Sequence, residues 1–431
     1  MLTISRQENI RKGLYFAGPE APWVSAVVPA RMSMRSWSRS AGKVFVVILL
    51  LALSLSTLEH DTRAGTALTD RPAGGLEQSL VAIRAVDKQG AGHEDAQRAM
   101  RIVAAADASD LPSILKALDG ASPLAANWLR NAFETIADRH LKLKHQLPSA
   151  RLEAFVRETS HNPRARRLAY EWLIKVDPTA TARLIPGMLL DPAAEFRRDA
   201  VAMRVDEATK VDPARDKARA IKLYREALSG ALDDDQVKSI AQALEKLGEK
   251  VDISKHFAFL TQYSVIGPFD NKGGRGLEAV FPPEHEIRLD ATYDGQLGKV
   301  TWQLLKSNGD YGIVDIAKQV KPYKGAAMYL LTGFQSPKTR QVEMRLGTDN
   351  AWKLWVNGQF LFSRNEYHRG MALDQYRIPV TMKPGQNVIL LKLCQNEQTE
   401  DWAQGYQFQL RVCDSNGCGI RSGEAAVAGG R

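Results

Sequence analysis

The 431-residue sequence predicts an α+β multidomain protein, in which an all-α helical-repeat domain is followed by an all-β jelly-roll sandwich. Apolar residues recur at helical spacing from Leu76 to about Lys250. After His256, short runs rich in β-branched and aromatic residues alternate with glycine, proline, asparagine and aspartate. The predicted segments are an N-terminal extension with an export signal (1–59), a linker (60–75), the helical domain (76–254), the sandwich (255–420) and a disordered tail (421–431).

The N-terminal region has the pattern of a secretory signal. Val44–Leu53 is an unbroken apolar run, and its extension to residue 58 is shorter than the roughly 20 residues of a membrane-spanning helix. Arg35, Arg39 and Lys43 precede it, as basic residues precede the apolar part of a signal peptide. We therefore expect export to the periplasm, the cell envelope or the medium. The segment is either cleaved or kept as a signal-anchor, and an uncleaved segment would be the chain's contact with the membrane.

Two neighbouring features complete this region. Residues 1–31 are unusual in front of such a signal, and a start at Met32 or Met34 would give a signal of ordinary length. The stretch His60–Gly75 is polar and contains glycine and proline, which is typical of a linker.

A weak internal repeat marks the helical region. Arg130, Arg167 and Arg198 each open a similar four-residue motif, and each motif follows a turn that contains proline. Their spacings fall in the range of helical-pair repeats, which stack so that each pair covers the apolar face of the next. The motifs resemble HEAT repeats, and residues 218–228 resemble one helix of a tetratricopeptide pair. An irregular helical domain is the alternative.

The β region contains short candidate strands separated by turn signals. Asn357-Gly358 is the sequence of a type I′ hairpin turn. Such a series of strands predicts a sandwich or jelly roll. The candidate strands are Tyr263–Ile266, Lys299–Leu304, Ala327–Phe334, Arg340–Leu346, Lys353–Val356, Arg377–Met382, Val388–Cys394 and Tyr406–Val412.

The three cysteines predict one disulfide and no metal site. Cys413 and Cys418 flank a turn-like insert, so a disulfide between them is plausible in an oxidising compartment. Cys394 lies in an apolar strand and is expected to be a buried thiol. The spacing of cysteine and histidine matches no zinc motif.

Composition and motifs argue against two functional classes. The net charge is +9, but basic residues are mixed with acids and form no stripe with aromatics, so we expect no nucleic-acid binding. The sequence contains no motif of a nucleophilic serine, a phosphate loop, a dinucleotide site or a zinc protease, so we expect no enzyme. The alternative is a polysaccharide-acting enzyme, which would need two of the loop carboxylates to face each other.

Binding residues are easier to identify. Asp349 and Asn350 immediately precede a strand with two tryptophans, Trp352 and Trp355, which should point to opposite faces of the sheet. Strand parity assigns Trp352 to the core and leaves Trp355 as a possible platform for a sugar. Loops at a sandwich rim supply the other candidates, and the full set is Asp349, Asn350, Trp355, Asn357, Tyr367, His368, Glu397, Asp401 and Trp402.

Three segments carry a resemblance to known families. Residues 263–269 (YSVIGPF) resemble the opening of β-sandwich modules in secreted planctomycete proteins. Residues 346–358 and 382–392 are similar to strand pairs of galactose-binding-like jelly rolls, including the sugar-binding domain of family 2 glycoside hydrolases. The whole arrangement resembles a family of exported planctomycete proteins with HEAT-like helices. In PA14-type lectins a related motif holds calcium with two adjacent aspartates, and Asp349-Asn350 lacks one of these carboxylates. We therefore expect no cofactor.

These observations together predict an exported, non-catalytic binding protein. We expect the β domain to bind carbohydrate or another envelope component and the helical repeats to form an interaction surface, so the expected partner is carbohydrate or an envelope protein. A purely structural scaffold for other proteins is a further alternative.

Overall fold

The structure, a computed structural model, describes residues 73–423. The predicted N-terminal extension, its export signal, the linker up to residue 72 and the tail from residue 424 lie outside the described residues. Helices occupy the first part of the described range and antiparallel strands the second, so mixed α and β structure with antiparallel sheets is confirmed. A helix with both the length and the apolar character to cross a bilayer is not found between residues 73 and 423.

The helical part begins earlier than predicted, because residues 73–75 belong to its first helix rather than to a linker. Its helices are α1 (Ala73–Arg84), α2 (His93–Ala104), α3 (Leu111–Lys116), α4 (Pro123–Lys142), α5 (Ser149–Arg157), α6 (Pro163–Val176), α7 (Ala180–Leu184), α8 (Ala194–Thr209), α9 (Pro213–Gly230), α10 (Asp234–Lys246) and α11 (Ile253–Phe257).

Three of the longer helices, α4, α6 and α9, begin with the same local chemistry. Ser122, Asn162 and Asp212 precede them, and each side chain accepts a hydrogen bond from a backbone N–H of the first turn. Proline follows each cap, at a position where a helix loses no hydrogen bond by lacking an N–H. The cap and proline pairs therefore explain from sequence where these helices start.

The strands form two main sheets and a hairpin. The six-stranded sheet runs in the order β4 (Gln303–Lys306), β1 (Gln262–Asp270), β6 (Ala326–Ser336), β11 (Gly385–Gln395), β8 (Ala351–Val356) and β9 (Gln359–Arg364). The four-stranded sheet runs β10 (Tyr376–Met382), β7 (Arg340–Thr348), β12 (Gln407–Cys413) and β5 (Val314–Asp315), and the hairpin pairs β2 (Thr292–Gly295) with β3 (Gly298–Thr301). Two short helices, α12 (Pro282–His285) and α13 (Ile316–Gln319), lie among them.

The two main sheets enclose a common apolar core. Leu330 and Leu391 of the six-stranded sheet pack in one buried cluster with Met344 and Leu410 of the four-stranded sheet. Trp352 is buried in the same cluster, as strand parity predicted. The arrangement is therefore an antiparallel β-sandwich, whose inner faces carry alternate residues of each strand.

One predicted strand, Lys299–Leu304, is wrong as drawn. The structure divides this segment between β3 and β4, with Trp302 at the break, and the two strands belong to different sheets. The β-rich composition of the segment was correct, but composition does not show where a strand changes partner.

The helical part packs directly against the four-stranded sheet within one compact unit. Phe257 and Phe259 join the buried cluster of α8, α9 and α10. Phe259 pairs with Arg411 of β12 in an isolated β-bridge, and the Arg411 guanidinium lies 5.2 Å from the ring centre of Phe257. The outer face of β12 is thus covered by protein rather than by water.

The outer face of the six-stranded sheet is covered by residues 271–301, which we call the covering segment. Lys392 of β11 is fully buried beneath it. Its Nζ donates to the backbone oxygens of Leu277 at 3.1 Å and Ala279 at 2.6 Å, and to Glu284 Oε1 at 2.8 Å. This buried charge holds the covering segment on the sheet because each of its three donors has a partner.

The predicted disulfide between Cys413 and Cys418 is wrong, since all three cysteines are free thiols. Cys413 faces Gly419 across an antiparallel bridge, so the neighbouring Cys418 projects to the opposite side of the ribbon. Cys418 Sγ instead accepts a hydrogen bond from Arg197 Nη1 of α8 at 2.9 Å. Burial raises the pKa of the Cys413 and Cys394 thiols to about 12.

Candidate functional site

Six of the predicted binding residues lie at one end of the sandwich, where three loops lie side by side. The β7–β8 turn carries Asp349, the β9–β10 loop carries Tyr367 and His368, and the β11–β12 loop carries Glu397, Asp401 and Trp402. These connections converge because β7, β9 and β11 all end at the same end of the sandwich. We call this loop cluster the rim.

His368 links the three loops of the rim. Its backbone N–H donates to the Asp349 carbonyl at 2.6 Å, and its Nε2 lies 2.8 Å from Asn396 Oδ1. Because an amide oxygen only accepts, this contact assigns the proton to Nε2. His368 also has a φ of 58°, a left-handed conformation that is uncommon outside glycine and is frequent at ligand sites.

Trp402 is the most exposed part of the rim, with 64% of its surface accessible. It lies in a short 3-10 turn, Asp401–Ala403, that the β11–β12 loop forms. The rings of Trp402 and His368 pack edge to face, with their centres 5.3 Å apart and an interplanar angle of 86°. The indole is therefore held from one side and open to solvent on the other.

Asp349 lies under the rim in a close fit with the backbone. Its Oδ2 accepts a hydrogen bond from Gln407 Nε2 at 3.1 Å. A Cβ at Gly405 would come within 2.7 Å of the same oxygen, so glycine at this position leaves room for the Asp349 carboxylate. Asp401 and Glu400, by contrast, are exposed next to Trp402 and can accept hydrogen bonds from a ligand.

Tyr367 and Glu397 tie the rim to the covering segment. Tyr367 Oη accepts from Asn271 Nδ2 at 3.2 Å, and Glu397 Oε1 accepts from the backbone N–H of Gly273. Burial raises the pKa of the Tyr367 hydroxyl to about 12, so it stays protonated at neutral pH. These two predicted site residues position the loops, although Glu397 remains exposed.

Three predicted binding residues, Asn350, Asn357 and Trp355, do not reach the rim surface. Asn350 is buried, and its amide donates to the Gly405 carbonyl and accepts from the backbone of Gln407. Asn357 lies at the far end of β8, where φ values of 54° and 77° for Asn357 and Gly358 form the predicted type I′ turn. Its side chain is used within the sandwich, since its Oδ1 accepts from Val388 N at 2.9 Å.

Trp355 is half-buried on the outer face of the six-stranded sheet, beside the covering segment. Parity placed it correctly on the face opposite Trp352, but the sequence did not show that the covering segment would occupy this face. Its ring packs against Phe360, with centres 5.9 Å apart, rather than standing as an open platform.

Sequence reasoning missed residues that organise the rim, notably Asn271, Asn396 and Gln407. Asn271 lies 96 residues from Tyr367 and 124 residues from Gln395 of β11, both of which it contacts, so no local pattern marks it. Asn396 follows directly after β11, and its polar position at a strand end was a usable signal. Within residues 73–423, no three His, Cys, Asp or Glu side chains converge to hold a metal ion.

No protein-family model matches the sequence, and no curated protein matches it either. Solved structures give distant matches. An α-xylosidase of glycoside hydrolase family 31 from Xanthomonas citri has a TM-score of 0.18 at 10% identity, over 36% of this chain and 16% of that one. A β-glucosidase from Kluyveromyces marxianus has a TM-score of 0.23 at 9% identity, over 68% of this chain and 36% of that one.

These matches correct one expectation. The chain was expected not to be an enzyme, and this is contradicted because both matched structures are glycoside hydrolases. The chain covers well under two thirds of either structure, and TM-scores this low carry no activity over to it. Nothing in the comparisons supports the resemblance to planctomycete proteins.

Proposed function

We propose that the chain binds carbohydrate at the rim, with Trp402 as the stacking platform. The observation that carries this proposal is the exposure of 64% of the Trp402 side chain while His368 braces one side of its ring. A flat aromatic surface packs well against the apolar face of a sugar ring. A braced ring also loses little conformational entropy when the ligand arrives.

Polar groups around Trp402 supply the directional contacts that a sugar needs. Asp401 and Glu400 are exposed on the same loop, and their carboxylates accept hydrogen bonds from hydroxyl groups. Such charge-assisted hydrogen bonds are about twice as strong as neutral ones. The combination of one apolar platform and a few fixed acceptors is typical of small-ligand sites.

The test is binding of the purified full-length chain to a broad glycan panel, followed by titration calorimetry with the best ligand. Trp402→Ala should weaken binding by about 5- to 160-fold, since stacking of a flat ring on an aromatic side chain is worth about 1–3 kcal/mol. Trp402→Phe should restore most of the affinity. Uniform failure of the panel, or unchanged affinity of Trp402→Ala, would refute the proposal.

A matched control is available in the helical part. Trp128 meets His93 in the same edge-to-face geometry, with ring centres 5.2 Å apart at 86°. Trp128→Ala removes a similar pair away from the rim and should leave glycan affinity unchanged. Analysis of the glycan after incubation with the protein will show whether the bound glycan is also cleaved.

We also propose that the helices form a HEAT-like stack and that the sandwich is a galactose-binding-like jelly roll. A ladder of ion pairs supports the helical part of this proposal. The three repeated arginines each reach the next helix but one, through Arg130–Glu171 at 4.0 Å, Arg167–Asp199 at 2.5 Å and Arg198–Asp235 at 2.6 Å. Equivalent contacts at equivalent positions are typical of repeat proteins.

The helical stack offers a place for the envelope protein that we propose as a second partner. An open groove of about 760 Å³ lies along α4 and α6 and is lined by Glu134, Asp138, Lys142, Trp172 and Lys175. Its mixed charges suit a polar protein surface. Together with the apolar run Val44–Leu53, these features support the proposal of an exported protein at the cell envelope.

A further inference from the structure

A second groove lies on the side of the sandwich, away from the organising contacts of the rim. It has a volume of about 560 Å³ and runs between β9 and β10. Each of these strands is the last strand of its sheet, so the groove marks the open side of the sandwich. We call it the edge groove.

Aromatic rings line the edge groove and are unusually open to solvent. Phe360 is 51% exposed and Phe362 is 41% exposed, although both lie on a strand of a well-packed sandwich. The two rings pack against tryptophans on opposite faces of the sheet, Phe360 against Trp355 at 5.9 Å on the outer face and Phe362 against Trp352 at 5.8 Å on the inner face. Phe362 is therefore the ring that faces the gap between the two sheets.

The charge of the edge groove has one sign. Arg364 and Arg377 line it, whereas no aspartate or glutamate does. The acids next to the groove residues in sequence are Glu366 and Asp374. Glu366 is paired with Arg369 at 3.0 Å and accepts a hydrogen bond from Tyr376 Oη at 3.4 Å, and Asp374 is paired with Arg345 and Arg411. In the described part of the chain neither groove arginine forms an ion pair, and the Arg364 guanidinium rests 5.3 Å from the ring centre of Phe362. A guanidinium held this way is ready for bidentate contact with a carboxylate.

We propose that the edge groove binds an anionic polysaccharide chain that carries carboxylates, of the uronate class. Phe362, over which the Arg364 guanidinium lies, would contact a sugar face, and Arg364 and Arg377 would pair with carboxylates. The amides of Gln359 and Gln375, which also line the groove, can meet hydroxyl groups. The match of a purely cationic groove to a polyanion selects this class of glycan over a neutral one.

An acidic peptide fits the groove less well. A peptide would add to the sheet as a further strand and would use the backbone donors of an edge strand. Pro379 lies within the wall that β10 forms and has no N–H to donate. The groove instead presents side chains of the kinds that recognise sugars.

The edge groove goes beyond the function proposed for the rim because the two sites share no residue. Their failures are therefore distinguishable. Trp402→Ala should impair binding at the rim and leave binding at the edge groove intact, and Arg364→Gln should do the reverse.

The experiment uses the full-length chain in affinity electrophoresis through gels that contain polygalacturonate, neutral dextran or poly-L-glutamate. We expect retardation by polygalacturonate, and a loss of about tenfold in affinity for Arg364→Gln and for Phe362→Ala. Phe362→Tyr should retain affinity, and Arg101→Gln, at an exposed arginine of α2, is the control for loss of a positive charge outside the groove. Binding should weaken as salt is added, because the arginine contacts are screened.

Three results would overturn the proposal. Equal retardation by poly-L-glutamate would show that any acidic chain suffices and would favour a peptide. Unchanged affinity of Arg364→Gln for polygalacturonate would remove the groove from the contact. No retardation of the wild-type chain at low salt would refute uronate binding altogether.

Discussion

The contact between the helical part and the sandwich, which we call the joint, depends on the negative charge of Asp374. Arg411 Nε donates to Asp374 Oδ1 at 2.7 Å, and Arg345 Nη1 donates to its Oδ2 at 2.6 Å. The Arg411 side chain is only 2% exposed, and its other acceptors, the carbonyls of Phe257 and Gly417, lie at 3.3 and 3.4 Å. We predict that Asp374→Asn will be strongly destabilising.

The size of the effect follows from the carboxylates that Arg345 and Arg411 still contact after the substitution at Asp374. Arg345 retains Glu343 at 2.7 Å, but within residues 73–423 Arg411 forms an ion pair with no carboxylate other than Asp374. Breaking a buried pair by removing one charge costs about 3–5 kcal/mol. Asparagine has nearly the same shape as aspartate and tolerates the left-handed φ of 57° at this position, so the substitution tests charge rather than backbone strain.

The assay is urea unfolding followed by tryptophan fluorescence, at pH 7 and at decreasing pH. Burial alone would raise the pKa of Asp374, but hydrogen bonds and charges from Arg411 and Arg345 outweigh burial and hold that pKa below its usual range. A depressed pKa gives stability that is present above the unfolded value, about 3.9, and is lost as pH falls through the folded value. The difference between wild type and variant should therefore shrink below about pH 4.

The control is the same substitution at an exposed pair. Asp206 lies 2.5 Å from Lys210 with 62% of its side chain exposed, and Asp206→Asn should cost no more than about 1 kcal/mol. If Asp374→Asn costs as little as Asp206→Asn, or if its deficit persists unchanged in acid, the charge at Asp374 does not hold the joint.

Two further predictions concern buried groups. Lys392→Met should lower the free energy of unfolding by about 3–5 kcal/mol, because Glu284 is left buried without its cation. Adding Glu284→Gln to Lys392→Met should recover part of this loss. A double variant whose loss equals the sum of the two single losses would refute the coupling. In the native protein only Cys418 should react with a thiol reagent at pH 8, since Cys394 and Cys413 are buried and have a pKa of about 12; rapid reaction of all three thiols without denaturant would contradict the packing.

Much of the local structure could be predicted from the sequence. Asn357-Gly358 forms the expected turn because both positions need a positive φ, and Trp352 lies in the core because side chains alternate along a strand. The cap and proline at Ser122-Pro123 mark a helix start for equally local reasons. Each of these features is decided within a few residues, where sequence patterns are informative.

The candidate site was predicted only in part. His368 and Trp402, which the sequence offered only as candidates on separate loops, pack together, whereas Asn350 was placed among the binding residues although it is buried and bonded to Gly405 and Gln407. The sequence showed polar and aromatic residues close together in the loops. Whether each one binds a ligand or holds a loop depends on the residues from distant segments that it contacts.

The sequence by itself therefore determined the helices, the strand content, the hairpin turn and the faces on which Trp352 and Trp355 lie. These features depend on local backbone preferences and on the alternation of side chains along a strand. Only the tertiary structure decided the rest. The register opposite Cys413 set its partner as Gly419 and excluded the disulfide, and the covering segment closed the face that Trp355 occupies. The edge groove exists because β9 and β10 end their respective sheets, which no stretch of sequence specifies alone.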